Sequence, residues 1–333
     1  MTLNHVRSMR LPTAVVLCFS LVFLDLNKAS AQGEQLSVRL SAPILAQPAK
    51  APLLSAAKLG SRVVAVGIRG LIIASDDEGV TWEQKPSPTD VTLTDLVFVE
   101  SGKGFAVGHE ESLLRTDDGG ASWRLVRTDA SGVPLLRIRF LDAQRGFALG
   151  GRGVIYGTSD GGSSWTRTTV TADDGFDPHL FDLASTTDGR LLIAAEGGRL
   201  FRSSDGGRNW AELQSPYTGS FFGLVTFGQQ SVLVYGMLGH AFLSRTGGDS
   251  WEELSTGIDQ SFFSAAVTGE QILLAGADGA VVTTPLDDPG VFTVHDQPGR
   301  PTISGLLSTS GGWLLASDRG LRQVATPFAH PTP

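Results

Sequence analysis

Thr116-Asp117-Asp118-Gly119-Gly120-Ala121-Ser122-Trp123 is the stretch that decides the fold, because its pattern recurs along the chain. The frame Ser/Thr-x-Asp-x-Gly-x-x-Trp reads Ser75, Asp77, Gly79 and Trp82; Thr116, Asp118, Gly120 and Trp123; Thr158, Asp160, Gly162 and Trp165; and Ser203, Asp205, Gly207 and Trp210. A fifth copy keeps Ser244, Gly248 and Trp251 but has Thr246 in place of the aspartate, and a sixth, Thr283 to Phe292, has decayed. The five tryptophans stand 41, 42, 45 and 41 residues apart, with Phe292 another 41 further on. A period of this length belongs to architectures built from repeated supersecondary units.

The chemistry of the frame is local. A short carboxylate in a tight turn accepts hydrogen bonds from nearby backbone N–H groups, glycine supplies the positive φ, and the hydroxyl ties down the end of the strand. The tryptophan then packs the start of the next strand against the hairpin. One aspartate repeated in four hairpins cannot be the single acid of one active site, so Asp77, Asp118, Asp160 and Asp205 read as structural, with neither a catalytic nor a metal-binding role.

Working outward, each copy has an alternating strand, a second apolar strand, a Gly-x-x-Gly turn, a third strand, the box and a short fourth strand. Second strands read at Val63–Val66, Phe105–Val107, Phe147–Leu149, Leu191–Ala194, Val232–Tyr235, Ile272–Ala275 and Trp313–Ala316, which makes seven copies from about residue 54 onward. The tryptophan lies 12 residues beyond the turn, from Gly70 to Trp82 and from Gly153 to Trp165, and 12 beyond Gly320 is residue 332. The last copy therefore lacks an outer strand, and Leu36–Ile44 is left over to supply it. The expected fold is all-β: a seven-bladed β-propeller of four-stranded antiparallel blades, closed by an N-terminal strand that completes the last blade and protects its edge. An open solenoid would need capping segments, and none is visible.

Composition agrees with this. The 333 residues are 41% hydrophobic and 18% charged, with 41 glycines but no Gly-X-Y period, so collagen and disorder are excluded. A formal charge of −8 argues against nucleic acid as a partner, since phosphate binding needs a basic footprint. At the N-terminus, Arg7 and Arg10 precede an apolar run from Leu11 to Leu24, and Ala29-Ser30-Ala31 offers a cleavage site. The run is too short to span a membrane. Residues 1–31 are therefore expected to be a cleaved signal peptide, and 32–333 a single exported domain in a periplasm or equivalent lumen. A lipoprotein would need a small residue directly before Cys18, where Leu17 stands. Cleavage would remove that sole cysteine, leaving the core to hold the fold without disulfides or thiolate metal sites.

The boxes resemble the Asp-box, or BNR, repeats of bacterial sialidases. The longer unit, Gly104-Phe105-Ala106-Val107-Gly108 followed by Leu113-Leu114-Arg115-Thr116-Asp117-Asp118-Gly119-Gly120, is similar to the photosystem II stability and assembly factor family. That resemblance covers nearly the whole chain after the leader. It implies a seven-bladed propeller working as a non-enzymatic assembly factor in the lumen, with a protein partner in a membrane-associated complex, no cofactor, and a monomeric state.

Function on such a ring would sit in the turns between strands two and three, all on the face opposite the boxes. Aligned on the second glycine, the preceding residues are Arg69, Glu111, Arg152, Gly197, Leu238, Asp278 and Arg319. Copies seven and one adjoin across the closure and copy three lies further along, so Arg319, Arg69 and Arg152 form a candidate partner-binding arc, interrupted or opposed by Glu110, Glu111, Glu196 and Asp278. Arginine's planar fork suits carboxylates and aromatic faces. The longest interblade loop, Asp173 to His179, adds His179 as a binding candidate, and its carboxylates read as a solvated acidic loop rather than a metal site because no second histidine is near. In Phe221-Phe222 and Phe262-Phe263 one ring of each pair should enter the core and the other the channel or rim. The competing reading is an Asp-box glycosidase. Sialidases use a tyrosine nucleophile activated by glutamate, and Tyr156, Tyr217 and Tyr235 either fall away from the innermost strand or lack a glutamate neighbour in sequence.

Overall fold

The computed structural model describes residues 41–100 and 102–324. Seven antiparallel sheets follow one another along the chain, six of four strands and the last of three. They span 53–84, 93–127, 135–169, 180–212, 221–254, 262–294 and 303–324, here called blades 1 to 7. The first strands of successive blades pack side by side right round to blades 7 and 1, so they form the innermost ring of a closed propeller. All seven second strands lie where the sequence puts them, from Arg62–Gly67 in blade 1 to Gly312–Ser317 in blade 7.

The core is divided among the seams. A cluster of Val64, Val66, Leu93 and Leu114 lies between blades 1 and 2, and one of Phe105, Leu135, Ile138 and Tyr156 between blades 2 and 3. Similar clusters continue round to Leu53, Ala65, Ile73 and Ala316, which join blade 7 to blade 1. Second strands are apolar throughout because they meet a neighbouring blade on both faces.

The expected closing strand, Leu36–Ile44, falls partly on residues outside the described range. Its described part, Ser41–Ile44, carries no strand, and blade 7 has three strands among the described residues. The segment instead binds blade 1: the Gln84 amide donates to the Pro43 carbonyl at 2.8 Å and accepts from the Leu45 N–H at 2.9 Å. Between blades 3 and 4 the loop N–H of Asp173 binds Glu212 in the same way. Residues 45–51 thus follow the path of an interblade loop into the first strand, and Leu45, Ala49 and Ala51 cover the seam beside Trp82 and Leu321. The seam itself is closed by packing, by Ser304 donating to the Leu53 carbonyl at 3.1 Å, and by Glu78 of blade 1 accepting from the Ser310 N–H at 2.6 Å.

Each box is a hydrogen-bonded staple. In blade 2, Asp118 accepts from Thr116 Oγ1 at 2.7 Å and from the Ser122 N–H at 2.9 Å, while the Gly120 N–H reaches Thr116 Oγ1 at 2.9 Å. Asp77, Asp160 and Asp205 repeat the arrangement. Hydrogen bonds from Ser75 and Thr81 bring Asp77 down to about 2, and those from Ser164 and Thr158 do the same for Asp160. For Asp118 burial opposes the fall, but Ser122 and Thr116 outweigh it and hold the carboxyl at about 2. In the fifth box the Thr246 hydroxyl accepts from the Ser250 N–H at 3.1 Å, replacing the carboxylate's central contact without a charge.

Candidate binding face and channel

The turns between second and third strands sit beside the starts of the inner strands, as the pairings Leu53 with Gly67 and Phe221 with Gly236 require. Four of the tips take the left-handed conformation, with φ of 53° at Arg69, 51° at Arg152, 55° at Leu238 and 56° at Asp278. Arg69, Arg152 and Arg319 are all exposed. None of the three guanidinium groups has a hydrogen-bond or ion-pair partner among the described residues, whereas Arg62, Arg115, Arg190, Arg199 and Arg202 are each held by an aspartate or glutamate.

Blade 2 departs from the sequence alignment. Glu110, with φ 57°, occupies the tip position of Arg69, and Glu111 takes the place of the second glycine with φ 47°. At that place in other blades the loop backbone leaves no space: a Cβ on Gly70 would lie 1.9 Å from the Thr89 carbonyl, and one on Gly153 2.2 Å from the Val170 carbonyl. In blade 2 the Glu111 side chain enters the seam between blades 2 and 3, where it is 0% exposed. Glu111 is therefore not a surface group of the arc. It accepts a short hydrogen bond from Tyr156, another from Ser131 at 3.2 Å and two from Arg167 at 3.4 Å, with Arg127 3.7 Å away. The Arg127 guanidinium lies 4.5 Å from the centre of the Tyr156 ring.

Tyrosine and glutamate together are the ingredients of a sialidase nucleophile, but Tyr156 is 0% exposed and covered by Arg127, so no substrate atom can reach it. Burial and the Glu111 hydrogen bond push its hydroxyl up to about 12, which keeps it protonated. The cluster joins blades 2 and 3.

His179 ends the acidic loop, immediately before the inner strand that begins at Leu180. Its N–H donates to Glu196 at 3.1 Å and its ring stands 6.2 Å from Phe181. Of the loop carboxylates, Asp174 pairs with Arg199 at 2.6 Å and Asp177 accepts from Thr171 at 2.7 Å. Among the described residues no group of three His, Cys, Asp or Glu side chains could hold a metal. Phe221 and Phe262 are buried in the seams, as alternation requires, while Phe222 and Phe263 remain partly exposed. With Phe181 they form an aromatic row over blades 4, 5 and 6, with ring centres 5.1 and 5.2 Å apart.

Below the mouth, the third residue of each inner strand makes a polar layer: Ser55, Asp95, Arg137, Asp182, Gly223, Ser264 and Gly305. Asp95 accepts from Ser55 at 2.7 Å, from the Ile138 N–H at 3.0 Å and from Arg139 at 3.2 Å. Asp182 holds Arg139 at 3.0 Å and Arg137 at 3.4 Å. Blades 2 to 4 are thus tied by a largely buried ionic chain to which Ser55 of blade 1 adds a hydrogen bond, and blades 5 to 7 carry no charge at that level. Sequence reasoning passed over this layer, although a charged residue two positions after a large apolar one, as in Leu93-Thr94-Asp95 and Leu180-Phe181-Asp182, was visible once the copies were aligned on their inner strands.

The fold and these surfaces define a class: an Asp-box β-propeller whose open features are an arginine-bearing, aromatic-lined face and a polar channel. The family model described as photosynthesis system II assembly factor YCF48 matches residues 74–133 and 122–283, well over half of the chain, and the protein belongs to that family. The photosystem II assembly lipoprotein Ycf48 of Prochlorococcus marinus is 35% identical over 153 residues, 44% of this chain and 44% of that protein, so the match spans less than half of the relative. Two solved structures share the fold. YCF48 bound to D1 peptide superposes with a TM-score of 0.65 at 19% identity, covering 82% of this chain and 91% of that one. YCF48 from Cyanidioschyzon merolae gives 0.66 at 15% identity, covering 85% and 96%.

Proposed function

We propose that this protein is an exported, non-enzymatic platform that binds a polypeptide of a membrane-associated complex during its assembly, through the face bearing Arg69, Arg152 and Arg319. The observation that carries the reading is that these three guanidinium groups are exposed and unpartnered in a protein whose other arginines are largely committed to internal ion pairs. A free guanidinium fork recognises carboxylates, so the partner segment is acidic. The adjacent row of Phe181, Phe222 and Phe263 offers apolar contact, with His179 at its edge. Family membership supports the assembly role, and a relative solved with a D1 peptide supports a polypeptide as the thing bound. In a photosynthetic cell a photosystem II subunit fits this description; in another cell an envelope complex does.

Export rests on the leader pattern of residues 1–31. No helix among the described residues is long and apolar enough to cross a membrane. The non-enzymatic reading rests on the burial of the Tyr156 and Glu111 pair and on the use of the box aspartates as turn acceptors.

The test is capture of partners from solubilised membranes by tagged wild-type protein and by a variant carrying Arg69→Glu, Arg152→Glu and Arg319→Glu. Glutamate is compatible with the left-handed backbone at Arg69 and Arg152, since Glu110 adopts it in blade 2. The platform reading expects a discrete set of membrane-complex subunits with the wild type, none with the triple variant, and retention by Glu110→Arg. An identical set with the triple variant overturns the arc, and turnover of a sialoside or β-glucan panel by the pure protein overturns the non-enzymatic reading.

A further inference from the structure

The channel contains a second candidate site, away from the arginine-bearing face, and the key to it is Tyr235. In each blade the third residue of the inner strand faces a residue of the second strand. In six blades that second-strand partner is aliphatic: Val66, Val107, Leu149, Ala194, Ala275 and Ala316. In blade 5 it is Tyr235, opposite Gly223. The exchange is complementary, because a Cβ on Gly223 would stand 2.2 Å from the Tyr235 hydroxyl oxygen. The phenol therefore passes through the space a side chain would fill and delivers its oxygen into the polar layer of the channel, although its ring belongs to the seam between blades 5 and 6. The sequence had placed Tyr235 away from the channel, and glycine at 223 is what reverses this.

Tyr235 is 2% exposed as a residue, and its hydroxyl is not one of the fully buried polar atoms that lack a partner; making no hydrogen bond to another described residue, it keeps its small accessible surface for the cavity it lines. A polar group so placed gains from a ligand that can accept its hydrogen bond. This one borders a cavity of about 350 Å³ that runs from the polar layer to the far ends of the inner strands, at Ser185, Thr226 and Val267. Arg139, Asp182 and Ser264 share the wall with Tyr235, and Ala184 and Val225 supply small apolar surface. Burial first, and then the Asp182 charge, raise the Tyr235 hydroxyl, so it remains a protonated donor.

The charges select the ligand. Arg137 and Arg139 are already held by Asp182, which shares the wall, and by Asp95 behind it, so an anion would have to break those pairs to reach a guanidinium group, and a cation would meet two guanidinium groups beside one committed carboxylate; neither gains. A neutral molecule with several donors and acceptors can use the phenol, the serine hydroxyl and the outer edges of the ion pairs without displacing them. The volume lies at the lower end of the range for small-molecule pockets. We infer that this cavity binds a compact, uncharged polyhydroxylated ligand of monosaccharide size, with the Tyr235 hydroxyl as one of its direct contacts.

The test is titration of the full mature chain with D-glucose, D-galactose and D-mannose, with acetate and choline as charged counterparts, followed by ligand-observed NMR and calorimetry. Tyr235→Phe removes only the oxygen. The inference expects saturable binding of at least one hexose, at least about tenfold weaker binding by Tyr235→Phe, and an undiminished melting temperature for that variant, because the hydroxyl has no internal partner to lose. Ala184→Phe, which fills the cavity, should abolish binding while the far-UV spectrum and the capture of membrane partners persist. The inference is overturned if no hexose binds with a Kd below about 10 mM, if acetate or choline binds better than every hexose, or if Tyr235→Phe binds as the wild type does. Because the capture assay reads the opposite face, its result and this one fail independently.

Discussion

Replacing Glu111 should unlock the seam between blades 2 and 3 in a way that a double-mutant cycle can measure. The carboxylate is wholly buried and serves Tyr156, Ser131, Arg167 and Arg127. In Glu111→Ala the Tyr156 hydroxyl, also buried, loses its acceptor, at about 1–3 kcal/mol. The two arginine side chains keep 33% and 43% of their exposure, so water replaces much of what they lose and each adds about 0–1 kcal/mol. The sum is about 1–5 kcal/mol for Glu111→Ala. Glu111→Gly should cost about 1 kcal/mol less, since glycine relieves the left-handed backbone at φ 47°. Combining Glu111→Ala with Tyr156→Phe isolates the shared hydrogen bond, whose coupling should be about 1.5–3 kcal/mol, the range for hydrogen bonds to charged groups. Denaturant unfolding followed by far-UV circular dichroism supplies the values, provided the m-value is unchanged between variants. Additive single mutants, with coupling under about 0.5 kcal/mol, would refute the claim that Glu111 and Tyr156 form one unit.

Three further outcomes follow from the same geometry. The box carboxylates have folded-state values below their unfolded ones, so their contribution is complete above about pH 4 and is lost as pH falls toward about 2; melting temperatures recorded down this range should fall, and Asp118→Thr, which copies box five, should flatten the fall. Asp182→Ala removes a partner from the nearly buried Arg137 and should destabilise by about 3–5 kcal/mol in denaturant titrations; a change under about 1 kcal/mol would show that the channel pairs are replaceable by water. A chain beginning at Pro52 should melt below one beginning at Ser41, because it lacks Leu45, Ala49 and Ala51 over the last seam and the backbone contacts to Gln84; equal melting curves would mean that packing between blades 7 and 1 closes the ring alone.

The fold was readable because its information is local and repeated. A box such as Thr116 to Trp123 specifies its own hairpin, and seven apolar second strands at even spacing count the blades without reference to any distant contact. The candidate sites were readable only where they followed the same local logic, as for the exposed tips Arg69, Arg152 and Arg319. Glu111 was misplaced by one position because blade 2 has no glycine to align on, and only its burial and its contacts with Tyr156 and Ser131 show that this side chain points inward. Tyr156 and Glu111 are 45 residues apart and meet across a seam, as do Asp95 and Arg139. Such pairs form between neighbouring repeats, so a motif confined to one repeat cannot reveal them. Tyr235 is subtler still: its meaning depends on the missing side chain at Gly223, a relation carried by cross-strand register and invisible in either residue alone.

The central claim is that the face of Arg69, Arg152 and Arg319 binds an acidic polypeptide of a membrane-associated complex. Its most direct measurement is the affinity of the purified captured partner for wild-type protein and for the Arg69→Glu, Arg152→Glu, Arg319→Glu variant across a salt series. Three exposed ion pairs at about 0–1 kcal/mol each predict up to about a hundredfold loss of affinity in the variant, and a wild-type affinity that falls with ionic strength far more steeply than the variant's. Equal affinities with equal salt dependence would contradict the account.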